Sequence, residues 1–427
     1  MIIERIRAKS LIKEVTPSFF SWAKVYLNPY QGCWHDCKYC DGKAESYYMH
    51  EDFANRIKVK VNAPELLEKY LKKRGFFSPN SSHSLLNYLD TTVERIHMPS
   101  PSKFVIFVGG GVCDVYQPAE KELQLTRKLL QIICDYELPV FILTKSTLVL
   151  RDLDLLKAIN NQTYASVNFT ITLADDSVRK IFEPRASSSE DRFQAISQLR
   201  KEGIHSGVYF YPCLPFIGDT TENIENIFRR AKKVNAEYVI TWGLTLKPGR
   251  NKDEFIDTLR KHYPHLVAKY LELYGNNDKY GNFDKKVFKR LGLVFPRVKA
   301  FRYNYEMKLG YSPIRYIPKQ GQKVNLILSE ILLKISHLKG FIMHKNYSFI
   351  KELYSAALYL DSLEVSIEEI LETNVKLPIS KSVLSIIQDY LEKGYSSILQ
   401  ETEEEAYYHS LQFQSYQQRK EKRKNSL

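Results

Sequence analysis

Three cysteines within eight residues form the densest group of candidate metal ligands in the chain. Cys33, Cys37 and Cys40 follow a C-x3-C-x2-C pattern. The other cysteines are scattered singly, as Cys113, Cys134 and Cys213. Thiolates bind zinc and iron, and a loop this short can fold around one metal centre. Six cysteines in 427 residues are too sparse for a disulfide framework, which indicates a reducing compartment.

Zinc and an iron–sulfur cluster are the two metal centres to weigh. A closed zinc site needs a fourth ligand, which His35, Asp36 or His50 could supply. Zinc sites more often use two C-x2-C pairs, and no second pair follows here. Three cysteines on a four-iron cluster leave one iron open to another ligand. The spacing therefore favours the cluster, with zinc as the alternative.

Charge and hydropathy describe a basic chain without a membrane span. The formal net charge is +13, and hydrophobic residues make up 44% of the sequence. No stretch reaches the roughly 18 uncharged apolar residues of a membrane helix, and the first residues lack a signal-peptide pattern. We therefore expect a cytoplasmic protein. The positive charge suits an anionic partner such as nucleic acid, although it also serves solubility.

Buried strands alternate with helices through the first 250 residues. The predicted strands are 23–27, 103–108, 140–143, 167–172, 207–211 and 238–241. Continuous apolar strands separated by helices predict a parallel α/β sheet, as a partial or complete β/α barrel. A doubly wound open sheet is the alternative. Past residue 251 helical patterns dominate.

Chemically useful residues follow these strands, where parallel sheets place their sites. The cysteines follow the first strand, Gly109, Gly110 and Gly111 the second, and Lys145 the third. Asp152 is expected to cap the next helix.

Further motifs give the chain a family resemblance. They are Asn28-Pro29-Tyr30-x-Gly32-Cys33, Asp114-x-Tyr116-Gln117-Pro118-x-Glu120, Leu143-Thr144-Lys145-Ser146, Arg151-Asp152 and Glu183-Pro184-Arg185. With the cysteine array, residues 22–250 resemble the radical SAM superfamily, in the branch grouped with spore photoproduct lyase and DNA-repair-photolyase-like proteins.

The resemblance implies a partial (β/α)6 barrel with a mostly helical C-terminal domain. We expect an N-terminal extension over residues 1–21, the β/α core over 22–250, an extension of that core over 251–320, and the helical domain with a basic tail over 321–427.

The resemblance also implies an enzyme and its cofactors. Cys33, Cys37 and Cys40 would ligate a [4Fe–4S] cluster whose open iron binds S-adenosyl-L-methionine. Reductive cleavage of that cofactor gives a 5′-deoxyadenosyl radical that abstracts hydrogen. The implied cofactor contacts are Tyr39 near the adenine, Gly109, Gly110 and Gly111 at the amino group, Lys145 at the carboxylate, and Arg185. A reductant such as flavodoxin or ferredoxin would supply the electron.

Two departures from the lyases leave the substrate open. Those enzymes have a tyrosine directly after the third cluster cysteine, where this chain has Asp41. They also place a hydrogen-donating cysteine after the second strand, where Cys113 lies in a different sequence context. Nucleic acid is the leading substrate class. The alternatives are a protein substrate and a non-catalytic metal protein that binds nucleic acid.

Several supporting residues have a plain structural interpretation as well. Lys145 could be a solvated charge, Asp114 a helix cap, and Glu183 a partner of Arg185 or Arg192. A run of aromatic and basic residues could form a stacking surface for nucleic acid, or simply pack, and it comprises Arg302, Tyr303, Tyr305, Lys308, Tyr311, Arg315 and Tyr316.

Overall fold

The computed structural model describes two compact units. One comprises Met1–Thr16 and Ala23–Leu293, the other Pro17–Trp22 and Val294–Leu427. The described residues are 1–47, 50–78, 104–109, 112–276, 278–318, 323–345, 347–373 and 375–425, with side chains to 412. The division lies between the boundaries at 250 and 320 that the sequence suggested. None of the helices in these residues is long and apolar enough to cross a membrane.

The first unit holds the strands. They are β1 Ile2–Ile6, β2 Ile12–Glu14, β3 Val25–Leu27, β4 Tyr30–Gln31, β5 Arg56–Lys60, β6 Ile106–Val108, β7 Val140–Thr144, β8 Ala165–Thr170, β9 Val208–Cys213 and β10 Val239–Gly243. One sheet has the order β10-β9-β8-β7-β6-β3-β2, parallel except for β2. A small second sheet has the order β1-β5-β4.

The large sheet decides between the two predicted architectures. Its six parallel strands neighbour one another in chain order, without the reversal that makes the switch point of a doubly wound sheet. No hydrogen bonds join β10 to β2 or β3 among the described residues. The core is therefore a partial (β/α)6 barrel, as predicted.

The apolar composition of the strands explains their burial. Every residue of β6 and β8 is buried, as expected for strands covered on both faces. Neighbouring strands place aromatic rings side by side. The ring centroids of Tyr26 and Phe107, and those of Phe107 and Phe141, are each 4.9 Å apart in edge-on pairs.

Helices connect the parallel strands. The helices of this unit are α1 Ala63–Lys73, α2 Ala119–Leu123, α3 Leu125–Asp135, α4 Leu153–Gln162, α5 Asp176–Phe182, α6 Ser189–Lys201, α7 Thr221–Lys233, α8 Arg250–His262, α9 Pro264–Tyr274 and α10 Lys285–Arg290. Asp175, Ser188 and Thr220 cap α5, α6 and α7 through their side chains. Asp152 occupies the N-cap position of α4, as predicted, but its buried carboxylate makes no side-chain capping bond.

The second unit is helical. Its helices are α11 Pro296–Met307, α12 Lys323–His337, α13 Tyr347–Ser362, α14 Ile367–Glu372, α15 Lys381–Lys393 and α16 Ser397–Asn425. Trp22 belongs to this unit, where its indole donates a hydrogen bond to the Pro313 carbonyl oxygen. The Arg315 guanidinium stacks on Trp22 and pairs with Asp361.

Most of the aromatic and basic run packs inside this second unit. Tyr303 is buried, and Arg315 is held in its buried ion pair. Tyr311 is half-buried and packs edge-on against Phe301, with 5.2 Å between ring centroids. Tyr305 is exposed, but its ring stacks on Tyr407 with 4.5 Å between centroids. The packing interpretation therefore accounts for most of the run.

Candidate metal centre

The three thiols of the cysteine loop line one cavity at the end of the parallel strands. Its volume is about 90 Å³. The cavity lining draws on the cysteine loop and on the ends of β6, β7 and β8, and it includes Cys33, His35, Cys37, Cys40, Gly109, Cys113, Asp114, Thr144, Lys145 and Thr170. Side chains from four successive strand ends thus meet, as the strand-end argument predicts.

These thiols need a positive partner to ionise. Burial raises the pKa of Cys37 to about 12 and raises the pKa of Cys33 and Cys40 as well. The backbone amides of Asp114 and Gly42 oppose this rise in the pKa of Cys33 and Cys40, respectively. No three His, Cys, Asp or Glu side chains of the described chain are close enough to ligate a single ion. A cluster binds its thiolates on different irons and does not require such convergence.

A glycine turn sets the start of the cysteine loop. Gly32 has φ +91°, and a Cβ on it would lie 2.5 Å from the Arg56 carbonyl oxygen. Only glycine fits such a positive φ with backbone this close. The turn lets the Cys33 amide bond the Phe53 carbonyl oxygen at 2.9 Å, while the Gln117 side chain bonds both the Gly32 oxygen and the Trp34 amide.

A charged clamp holds the middle of the loop. The clamp comprises Asp36, Lys38, Lys43 and Glu254. Both ammonium groups contact both carboxylates, over 2.6 to 2.9 Å. Helix α8 is thereby tied to the loop, and Asn251 on the same helix donates to the Cys40 carbonyl oxygen. Sequence reasoning missed the clamp, because nothing local marks Glu254 as a partner of residues more than 200 positions earlier.

Asp41, the residue that departs from the lyase pattern, also helps to fix the cysteine loop in place. Its carboxylate accepts from the Thr245 hydroxyl at 3.0 Å and from the Lys247 ammonium at 2.5 Å. It therefore ties the end of the cysteine loop to the segment after β10.

Gly109 is the only residue of the predicted glycine run among the described residues. Its φ is +99°, and a Cβ there would lie 3.2 Å from the Leu143 carbonyl oxygen and 3.3 Å from Val115. A glycine therefore lets the backbone pass close to the end of β7 and to Val115. Gly110 and Gly111 lie outside the described residues.

Lys145 extends into the cavity without an ion-pair partner among the described residues. Its ammonium lies 5.8 Å from the centre of the Tyr39 ring. Burial alone would lower the pKa of Lys145, but Cys37 and Glu183 nearby raise it. The cavity thus contains a lysine that keeps its proton and has no carboxylate bound to it.

Tyr39 and Glu183 form the wall behind this lysine. The buried Tyr39 hydroxyl donates to Glu183, whose other oxygen accepts from Arg192 at 2.5 Å. Glu183 and Arg192 are both fully buried. Arg192, together with Lys145 and the Tyr39 hydroxyl, keeps the pKa of Glu183 lowered although burial alone would raise it. Of the partners that the sequence offered to Glu183, the structure selects Arg192.

Arg185 lies apart from the cavity lining. Its exposed guanidinium stacks on Trp34, 4.0 Å from the ring centre, and it lies 3.3 Å from the Asn55 side-chain oxygen. Trp34 follows Cys33 directly, so Arg185 covers the outer surface of the loop. The structure therefore gives this residue a packing contact on the cysteine loop.

Cys113 does line the cavity. Its thiol is buried, and burial raises its pKa to about 12. The Asn28 amide donates to the Cys113 carbonyl oxygen at 2.6 Å, which fixes the backbone at this position. Cys134 and Cys213 are buried outside the cavity lining.

Several of the other motif residues bond to one another instead of to the cavity. The Tyr30 hydroxyl donates to Glu120, and Arg151 bonds both Glu120 and Asp152. The Tyr116 hydroxyl donates to Asp152 at 3.1 Å. Glu120 and Asp152 are fully buried. This scaffold network explains why these residue types occur together, since buried carboxylates require donors.

Comparison with known proteins identifies the family. The sequence model of the radical SAM superfamily matches residues 27–229, a range that contains all three loop cysteines. The chain belongs to the radical SAM superfamily. An uncharacterized protein of Methanocaldococcus jannaschii is 31% identical over 61% of this chain and 84% of its own length. An uncharacterized protein of Mycobacterium bovis is 25% identical over 63% and 72%.

Matches among solved structures include a spore photoproduct lyase. A spore photoproduct lyase mutant with bound AdoMet and dinucleoside spore photoproduct is 17% identical, with a TM-score of 0.48 over 71% of this chain and 78% of that one. Membership of the radical SAM superfamily implies a [4Fe–4S] cluster and S-adenosyl-L-methionine. The three loop thiols and a lysine without an ion-pair partner among the described residues line one cavity, and this set of groups fits such a pair of cofactors.

Proposed function

We propose that the chain is a radical SAM enzyme that cleaves S-adenosyl-L-methionine reductively and abstracts a hydrogen atom from its substrate. The observation that carries the proposal is the shared cavity. Three thiols and a protonated lysine without a carboxylate partner among the described residues line the same space. A purely structural metal site has no use for such a lysine.

Each side chain has a task in this proposal. Cys33, Cys37 and Cys40 would hold the cluster, which would supply the electron for reductive cleavage of the bound cofactor into methionine and a 5′-deoxyadenosyl group. Lys145 binds the carboxylate of S-adenosyl-L-methionine as a point charge. Gly109 admits the cofactor's amino end close to the backbone. The face of the Tyr39 ring contacts the Lys145 ammonium, and the hydrogen bond to Glu183 holds the Tyr39 side chain in place.

Cys113 is the candidate hydrogen-atom donor to a substrate radical. It contributes a buried thiol to the same cavity, and its segment is fixed by Asn28. Substitution by alanine removes the S–H bond. We expect Cys113→Ala to leave cofactor cleavage intact while product formation falls or byproducts appear.

Nucleic acid is the proposed substrate class. The support is the net charge of +13, since phosphate contacts favour basic proteins. Retention on single- or double-stranded nucleic acid that weakens steeply with salt would support it. Binding that does not change with salt would contradict it and favour a protein substrate.

Anaerobic reconstitution tests the enzyme proposal. We expect about four iron and four sulfide per chain, and conversion of S-adenosyl-L-methionine to 5′-deoxyadenosine and methionine with dithionite or reduced flavodoxin. Cys37→Ala should abolish both. Cys134→Ala is the matched control, because that thiol lies outside the cavity. Stoichiometric zinc without cleavage would instead support the non-catalytic metal protein.

A further inference from the structure

Asp114 connects the cysteine loop to the segment that carries Lys145. Its side chain is 8% exposed and lines the cavity. One carboxylate oxygen accepts from the Tyr116 amide at 2.9 Å and from the Thr144 hydroxyl at 2.8 Å. The other accepts from the Lys145 amide at 2.7 Å and lies 3.2 Å from His35 Nε2.

These contacts span three separate segments of the barrel mouth. His35 lies between two of the loop cysteines, Thr144 is the last residue of β7 and Lys145 follows it, and Asp114 itself follows β6. Its carboxylate therefore connects the cysteine loop, at His35, to the backbone of the lysine.

The bonds differ from those of a helix cap. A cap satisfies the first amides of its own helix, whereas two of the strongest contacts here reach β7 and its following loop. Burial alone would raise the pKa of Asp114, but His35 and the backbone amides lower it, so the group accepts as an anion.

We infer that Asp114 is a positioning residue that sets the distance between the cluster and the carboxylate-binding lysine, and thereby the affinity for S-adenosyl-L-methionine. This inference rests on the proposed function. Asp114 acts through the Lys145 amide and His35 and does not itself react. Without it, both segments would remain folded, but the lysine would not be held relative to the loop cysteines.

Asp114→Asn tests the inference, because an amide keeps the shape. The Asn side-chain oxygen can still accept from Tyr116 and Thr144, but its NH2 group faces the Lys145 amide, donor against donor. We expect cluster content equal to wild type and affinity for S-adenosyl-L-methionine lowered about tenfold or more. The change that the cofactor causes in the electron paramagnetic resonance spectrum of the reduced cluster should weaken in parallel.

Asp152→Asn is the matched control. Asp152 is an equally buried carboxylate that accepts from Tyr116, Arg127 and Arg151, but it belongs to the scaffold network outside the cavity. Its substitution should lower the melting temperature and leave cofactor affinity and the spectrum unchanged.

Thr144→Val provides a second variant if Asp114→Asn does not fold. It removes one donor to Asp114 at nearly constant volume, and we expect affinity to fall about threefold. If a variant that carries a full cluster binds S-adenosyl-L-methionine with wild-type affinity and shows the wild-type spectrum, the inference is overturned. A wild-type protein that fails to assemble the cluster would instead refute the proposed function, so the two failures are distinct.

Discussion

The clamp and the cavity both include residues of the cysteine loop, but they differ in how their charged groups are paired. In the clamp, Lys38 and Lys43 each contact two carboxylates within 2.9 Å. In the cavity, Lys145 has no ion pair among the described residues, and the thiols are buried with raised pKa values. A buried charge that is paired can contribute to the stability of the fold. A buried charge without a partner lowers that stability unless a ligand of opposite charge binds to it.

This difference predicts which variants will lose stability and which will lose ligand binding. Substitution of a paired group should lower the free energy of unfolding. Substitution of an unpaired group should leave that free energy unchanged or raise it, and should reduce affinity for the cofactor.

The largest effect is expected at the Glu183–Arg192 pair. Arg192→Met would leave Glu183 fully buried without its main partner, so the free energy of unfolding should fall by about 3–5 kcal/mol. Urea denaturation of the full chain measures this. A loss below about 1 kcal/mol would show that the pair behaves like a surface ion pair. It would contradict the claim that paired buried charges in this protein stabilise the fold.

A smaller loss is expected in the clamp. Lys43 is 6% exposed and contacts Asp36 and Glu254, but Lys38 contacts the same two carboxylates. Lys43→Met should therefore lower the free energy of unfolding by about 2 kcal/mol, with cofactor affinity retained in the protein that folds. Lys157→Met, at an exposed pair with Glu202, is the control and should change little.

Lys145→Met should show the reverse pattern. The ammonium has no ion-pair partner in the part of the chain that the structure describes, so the free energy of unfolding should stay within about 0.5 kcal/mol or rise. Affinity for S-adenosyl-L-methionine should fall about tenfold or more, because a charge-assisted bond is removed. Calorimetric titration of the cluster-loaded protein measures the affinity. Wild-type affinity would mean that another group binds the carboxylate.

Arg185→Ala should have the smallest effect on the cofactor. Its guanidinium stacks on Trp34 outside the cavity lining, so affinity for S-adenosyl-L-methionine should change less than about twofold. A fall of about tenfold in the same titration would restore Arg185 as a direct cofactor contact.

Local spacing was sufficient to predict the cysteine loop and a parallel β/α sheet, but it left a barrel and a doubly wound sheet both open. The family resemblance favoured the partial barrel, and the strand order of the large sheet decided for it. Cys33, Cys37, Cys40 and Lys145 follow strands whose apolar runs are visible in the sequence, and parallel topology brings their ends together. The clamp and Asp114 depended on partners that no local pattern identifies. In the sequence, Glu254 is not distinguished from other acidic residues of a helix, and only the fold places it beside Lys43. Asp152 occupies the predicted cap position, but its carboxylate accepts from Tyr116 and Arg127, which are distant in sequence, as well as from the neighbouring Arg151.

The attachments of the cysteine loop to Thr245, Lys247, Asn251 and Glu254 also impose an order on biosynthesis. The bonds to Asp41 and Cys40 span 204 to 211 residues of chain. When the third cysteine leaves the ribosome, none of these partners has been synthesised. The loop therefore reaches its final shape only after β10 and α8 have emerged, and a cluster delivered earlier would meet three thiols on an unfixed segment. We expect the protein to acquire its iron after translation of the β/α core is complete.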